Sequence, residues 1–146
     1  MTDDPGANLG LLCFVSYRSA EMRIMDALAE AGFDDLTVTQ ARVFARLGPD
    51  GTRVGDLAAQ AQVTKQTATA LVDQLERRGY VVRVADPVDL RARLVRFAPR
   101  GDAACRVARE AEARVQADWE QHLGEPDATH LRRALTRLRE VTDPWA

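Results

Sequence analysis

Cysteine occurs only twice in the 146 residues, at Cys13 and Cys105. That is too few for a disulfide scaffold and makes a reducing cytoplasm the expected setting. No apolar run approaches the roughly 18 residues that a membrane span needs. The first six residues are acidic, so a secretory leader, basic and then apolar, is not expected. Internal repeats and low-complexity tracts are also missing. Of 20 basic residues only Lys65 is a lysine, and genome composition is the simplest account of that bias. Basic charge is not in excess either. Twenty-two acidic residues bring the formal net charge to −2, which taken alone argues against a nucleic-acid partner. What is present is 46% apolar and 29% charged residues, a balance that fits one folded domain with its own core rather than a disordered tail.

The spacing of apolar residues predicts a mainly α-helical chain with one small β-hairpin. Asn8 is a candidate cap for a long helix over residues 9–31, with Leu12, Val15, Ile24 and Leu28 at helical spacing and Gly32 as its stop. Thr37 and Gln40 have the form of a capping box. They would open a short helix through Val43, Phe44 and Leu47, stopped at Gly48 and Pro49. A third helix is expected near residues 55–60. A fourth, over residues 65–78, is capped by Thr64, ended by Gly79 and apolar along Ala68, Leu71, Val72 and Leu75. Residues 80–85 and 93–97 are rich in strand formers and flank the turn-forming cluster Asp86-Pro87-Val88-Asp89, the pattern of a hairpin with a long tip. Pro99 opens a long helix to residue 123. Gly124-Glu125-Pro126 breaks it, and Asp127 is the expected cap of a last helix carrying Leu131, Leu135, Leu138 and Val141.

Residues 37–98 already form a compact unit with its own apolar faces. Residues 1–36 and 99–146 carry further apolar stripes that need another surface, and a second copy of the chain is the obvious candidate.

The pair of helices at residues 55–78 has the shape of a helix-turn-helix. The exposed face of its second helix presents Lys65, Gln66, Thr67, Thr69, Ala70, Asp73, Gln74 and Arg77. This mixture suits a major groove: glutamine pairs with adenine edges, threonine and alanine meet the thymine methyl, and lysine and arginine reach guanine or phosphate. Thr64 and Thr67 stand at the helix start, which itself attracts a phosphate. An ordinary amphipathic helix with a wet Thr/Gln-rich face fits equally well.

The hairpin tip separates the two readings. Arg91 and Arg93 alternate on a protruding loop, as guanidinium groups that enter a minor groove do, and Asp89 is placed to hold Arg91 extended. Residues 52–101 carry nine basic and five acidic residues, a net +4. The remaining eleven basic and seventeen acidic residues leave −6 elsewhere. Phosphate binding needs a local patch, not a basic whole chain.

Over nearly its whole length the sequence resembles the MarR family of bacterial transcriptional regulators. The resemblance is carried by the helix order, Asp56-Leu57-Ala58, Val63-Thr64-Lys65-Gln66-Thr67, the run from Leu71 to Val81 (Leu-Val-Asp-Gln-Leu-Glu-Arg-Arg-Gly-Tyr-Val) and the tip from Asp86 to Arg93. It implies a homodimer held by the first and last helices, each subunit placing its recognition helix in a major groove and its wing in the flanking minor groove. Asp89 and Arg91 match the family's wing Asp-x-Arg. Two departures stand out: Ala98 occupies a place where a hydroxyl residue often caps the long helix, and Leu90-Arg91 replaces a common Arg-Arg pair.

The resemblance also implies a small, often aromatic, effector bound between the dimer helices and the DNA-binding unit. Candidate lining residues are Phe14, Tyr17, Arg18, Phe44 and Trp119, which serve equally well as core. Such a ligand lowers DNA affinity only by favouring a spacing of the recognition helices that misfits the operator. Cys13 is similar in position to the reactive cysteine of the family's peroxide-sensing branch, although Tyr17 and Tyr80 are the only tyrosines available to support a thiolate. Cys105 reads as packing. His122 and His130 have no third ligand at metal spacing, so neither a metal nor a cofactor is expected. No nucleophile–base pair or phosphate loop suggests an enzyme. The expectation is a sequence-specific, homodimeric repressor of double-stranded DNA, released by a small ligand. A Cys13 peroxide sensor and a winged helix used for protein association without DNA are the alternatives.

Overall fold

The computed structural model describes residues 6–143 and 145. Its elements run α1 (Leu9–Glu30), α2 (Val38–Phe44), α3 (Val54–Ala61), α4 (Lys65–Arg77), β1 (Val81–Ala85), β2 (Arg93–Phe97), α5 (Pro99–Leu123) and α6 (Glu125–Thr142). Local chemistry sets most of the boundaries. The Asn8 side chain accepts the Leu11 amide at 2.8 Å and starts α1. Thr37 and Gln40 close the expected capping box on α2. Thr64 accepts the Thr67 amide at 3.1 Å at the head of α4. Gly79, at φ +79°, lets the chain leave α4 in a left-handed turn in which the Tyr80 amide reaches back to the Leu75 carbonyl.

Two boundaries differ from expectation by more than one residue. α2 stops at Phe44, because Arg46 and Leu47 bond back only three residues and tighten the chain before Gly48. α6 begins at Glu125 rather than after Asp127. Its cap is Gly124, at φ +81°, and Pro126 sits inside the first turn, where a missing N–H costs nothing. Asp127 is therefore a first-turn acid facing the positive end of the helix rather than a cap.

The strands pair antiparallel in the register Val81↔Phe97 to Ala85↔Arg93. Thr52 adds a two-bond bridge to Val95, which ties the loop before α3 to the hairpin. One core runs from α1 to α5 through Leu28, Val43, Leu57, Val72, Tyr80 and Val95. α5 packs tightly at Gly101, where a Cβ would lie 2.0 Å from the Tyr80 carbonyl oxygen. α6 buries none of its residues in the protomer, and α1 buries only Leu28. Among the described residues no helix is long and apolar enough to cross a membrane.

Candidate nucleic-acid interface

α3 and α4 meet through a three-residue turn. Gln62 takes the left-handed conformation at φ 55°, and the Val63 amide returns to Ala58 O at 3.0 Å. The turn leaves the outer face of α4 in solvent. Lys65, Gln66, Thr69, Ala70 and Asp73 line a shallow concavity there, and Thr64, Thr67 and Arg77 are exposed around it. The threonine hydroxyls are partly committed. Thr64 donates to Thr67 Oγ1 at 2.9 Å, and Thr69 donates to the Lys65 carbonyl at 2.8 Å. Thr69 thus spends its hydroxyl proton within its own helix, and its methyl is the group suited to a thymine methyl.

The wing is built around a carboxylate that the sequence showed only as part of a turn. Asp86 is nearly buried, and its Oδ1 accepts the Val88 amide at 2.9 Å. Its Oδ2 accepts Arg53 Nη2 at 2.7 Å, from the residue that precedes α3. The backbone bond from Val88 and then the Arg53 bond hold the Asp86 carboxyl below its ordinary range. The wing root is thereby fastened to the helix-turn-helix. Asp89 acts differently from expectation: its Oδ1 accepts the Arg91 backbone amide at 3.2 Å and shapes the turn rather than gripping the guanidinium. Arg91 and Arg93 are exposed, and among the described residues neither forms an ion pair. Arg83 of β1 reaches Asp73 at 2.6 Å and Glu76 at 2.8 Å, so an acid on the face of α4 is neutralised from the hairpin.

A polar network lies behind α4. Gln40, 1% exposed, joins Gln74 and Arg78 of the α4 region to the start of α2. Arg78 also donates to the Asp35 carbonyl, and Arg100 at the head of α5 bonds both the Asp35 carboxylate and the Arg78 carbonyl. Sequence reading missed this network and the Arg53–Asp86 pair. Their partners lie 22 to 65 residues apart, where no spacing rule applies.

The five candidate effector-lining residues do not converge. Phe44 is a core residue, 6% exposed, packed edge-wise with Tyr80 and Phe97. Phe14, Tyr17 and Arg18 lie on the exposed part of α1. Only Trp119 borders an open groove, of about 590 Å³, between α1, α5 and α6. Ile24, Val115, Leu123, Leu131 and Leu135 form its apolar floor, and Glu120 paired with Arg132 stands at its rim.

Cys13 is exposed, but neither tyrosine serves it. Tyr17 donates to Glu21 at 2.9 Å, and Tyr80 is buried on Asp35. Burial pushes the Cys105 thiol up, as suits a packed side chain.

A helix-turn-helix with a two-stranded wing and a local basic patch defines the class: this is a winged-helix DNA-binding protein. The MarR family model matches residues 34–92. The chain is 31% identical over 136 residues to the transcriptional activatory protein BadR of Rhodopseudomonas palustris, covering 90% of this chain and 77% of that one. The chain belongs to the MarR family. The crystal structure of MarR is similar at a TM-score of 0.77 and 23% identity, with 96% of this chain and 94% of that one covered. CouR from Rhodococcus jostii RHA1 bound to p-coumaroyl-CoA matches at 0.69, 26% identity and 99% of both chains. The repressor CouR on a 23-mer DNA duplex matches at 0.68, 23% identity, 90% of this chain and 92% of that one. The protein is a DNA-binding transcriptional regulator and not an enzyme.

Proposed function

We propose that the chain works as a homodimeric repressor that reads a pseudo-palindromic operator, with α4 in the major groove and the wing in the minor groove on either side. The observation that carries this reading is the pair of exposed guanidinium groups, Arg91 and Arg93, which form no ion pair among the described residues, on a wing fastened to the helix-turn-helix by Arg53 and Asp86. Thr64, Lys65, Gln66, Thr67, Thr69, Ala70, Gln74 and Arg77 are the recognition-helix residues of this proposal. The dimer rests on the exposed apolar rows of α1 and α6, Leu12 and Phe14 on one and Leu131, Leu135 and Leu138 on the other. Such rows are costly to leave in water. Residues 37–98 then form the DNA-binding unit, and residues 1–36 and 99–146 form the dimer. The cytoplasm is the setting in which such a regulator meets its operator.

The groove around Trp119, whose Leu131 and Leu135 also belong to the dimer row, supports a small apolar or aromatic effector seated where the second copy adjoins it. It is bounded by the helices that set the distance between the two DNA-binding units. A ligand preferring one spacing shifts operator affinity by the difference in its own affinity for the two spacings. That coupling is typically about 1–3 kcal/mol.

Selection of duplexes by the full-length protein from a random pool tests the reading. The expected product is two related half-sites about one helical turn apart. Enrichment of no sequence, or of a single unpaired half-site, would overturn it.

A further inference from the structure

The amide of buried Gln40 has no freedom of orientation. Its Oε1 accepts the Thr37 backbone amide at 3.1 Å and Arg78 Nη1 at 2.9 Å. Both partners are donors and nothing else, so that end of the amide must be the oxygen. The opposite end is then the NH2 group, and it lies 2.7 Å from the side-chain amide of Gln74 on α4. Gln74 must therefore turn its oxygen inward. Amide orientation follows here from the bonding network, as it must wherever hydrogens are unseen.

Gln74 is half-buried at the edge of the recognition face, one residue beyond Asp73 and four beyond Ala70. With its oxygen held, its NH2 is the end left for an outside partner. A free glutamine amide recognises adenine by offering one donor and one acceptor together. Gln74 turns its donor outward, because its oxygen is held inward by Gln40.

We propose that Gln40, which touches no DNA, determines specificity by holding the Gln74 oxygen inward, so that this position of the recognition helix selects a base edge bearing an acceptor. Guanine O6 and N7 and thymine O4 are such edges. The proposal rests on the assignment of α4 to the major groove made above. The orientation is anchored further back as well. Arg78 is tied to the Asp35 carbonyl and, through its own carbonyl, to Arg100 of α5.

The test is duplex selection from a random pool by the wild-type chain and by Gln74→Ala, Gln74→Glu and Gln40→Glu, each checked for an intact fold by circular dichroism. Gln74→Ala is expected to relax one position of each half-site by about tenfold, within the range for one good base contact. Gln74→Glu accepts from Gln40 with one oxygen and presents the other. It is expected to move that position toward a donor-bearing edge, cytosine N4 or adenine N6. Gln40→Glu removes the inward donor, obliges Gln74 to turn its NH2 inward and moves the same position in the same direction. Should Gln40→Glu fail to fold, Gln40→Met frees the Gln74 amide and relaxes the same position. A merely structural Gln40 would lower affinity for every duplex alike without moving a preference. Wild-type selection with Gln74→Ala unchanged overturns this proposal alone, as does a Gln40 variant that leaves the preference unmoved. A wild-type chain that enriches no sequence overturns the DNA-binding assignment as well.

Discussion

Arg100, in the first turn of α5, holds both carboxylate oxygens of Asp35, at 2.9 Å and 3.1 Å. Its guanidinium lies 4.3 Å from the centroid of the Tyr80 ring, and the Tyr80 hydroxyl donates to the same carboxylate. Three elements meet at this point: the loop after α1, the exit from α4 and the entry to α5. The site therefore joins the helices assigned to the dimer with the unit assigned to DNA.

The pH dependence of stability should report this junction. Burial opposes charge on Asp35, but the bonds from Tyr80 and Arg100 outweigh it and hold the carboxyl below its ordinary 3.8. A depressed carboxyl adds stability above its unfolded pKa and loses it as pH falls through the folded one, so the acid loss lies below about 3.8. Burial, and then the bond to Asp35, pushes the Tyr80 hydroxyl above its ordinary 10. A raised phenol adds stability below 10 and loses it as pH rises further. Tyr80→Phe should cost about 1–3 kcal/mol at neutral pH by removing a bond to a charged group. It should also flatten the alkaline loss in part, since Tyr17 is raised as well. Urea unfolding across the pH range measures both, and an alkaline limb unchanged in Tyr80→Phe would contradict the assignment.

Two glycine replacements should act with opposite signs. A Cβ at Gly101 would press to 2.0 Å from the Tyr80 carbonyl oxygen, which is backbone and cannot swing aside. Gly101→Ala should lower stability by about 1–3 kcal/mol, the usual cost of overpacking. A Cβ at Gly55 in α3 meets nothing within 4 Å. Gly55→Ala should raise stability by up to about 1 kcal/mol through helix propensity. Thermal melts of the two variants should bracket the wild type, and equal melting temperatures would refute the close approach.

The features legible in the sequence are those fixed by neighbours. Thr64 before α4, the Thr37–Gln40 box, Gly79 after α4 and the apolar row of Ala68, Leu71, Val72 and Leu75 each depend on a few adjacent residues, and each stands where the pattern places it. The start of α6 departs from the pattern because proline, a breaker inside a helix, is accepted in a first helical turn. At Phe44 the sequence is silent on environment, because aromatic character alone does not say whether a ring faces the core or a groove. The pairs Arg53–Asp86, Gln40–Gln74 and Arg100–Asp35 left no trace in the sequence. A hydrogen bond across 33 or more residues has no period, and each partner alone reads as an ordinary surface polar residue.

Exposure of α6 makes the dimer testable. Leu135 is 41% exposed in the protomer, on a helix with no buried residue. Leu135→Glu places a charge in the apolar row that the second copy would cover. Sedimentation should show a shift toward monomer with helix content retained, and operator affinity should fall with it, since two half-sites are no longer read together. A stable dimer of the variant would move the interface elsewhere.

Cys13→Ser should leave operator release by organic peroxide unaltered. Cys13 is exposed at the start of α1, but both tyrosine hydroxyls are engaged elsewhere, Tyr17 with Glu21 and Tyr80 with Asp35. A peroxide response present in the wild type and lost in the variant would reinstate the thiol sensor.

Arg91→Ala isolates the wing. Arg91 is exposed, and its backbone rather than its guanidinium is held by Asp89, so the substitution leaves the turn bonds intact. Each phosphate neutralised by a cation releases counterions, and the slope of log affinity against log salt counts such contacts. Arg91→Ala should therefore weaken duplex binding and shrink that slope by about one unit, with dimer and melting temperature unchanged. Lys65→Met is the companion variant at the head of α4, where the chain's one lysine makes a loss easy to assign. If Arg91 enters a minor groove, its loss should weaken binding most on A·T-rich flanks, where the groove is narrow and its potential most negative. A loss equal on all flanks would place Arg91 on the phosphate backbone instead, and an unchanged salt slope would remove the wing from the interface altogether.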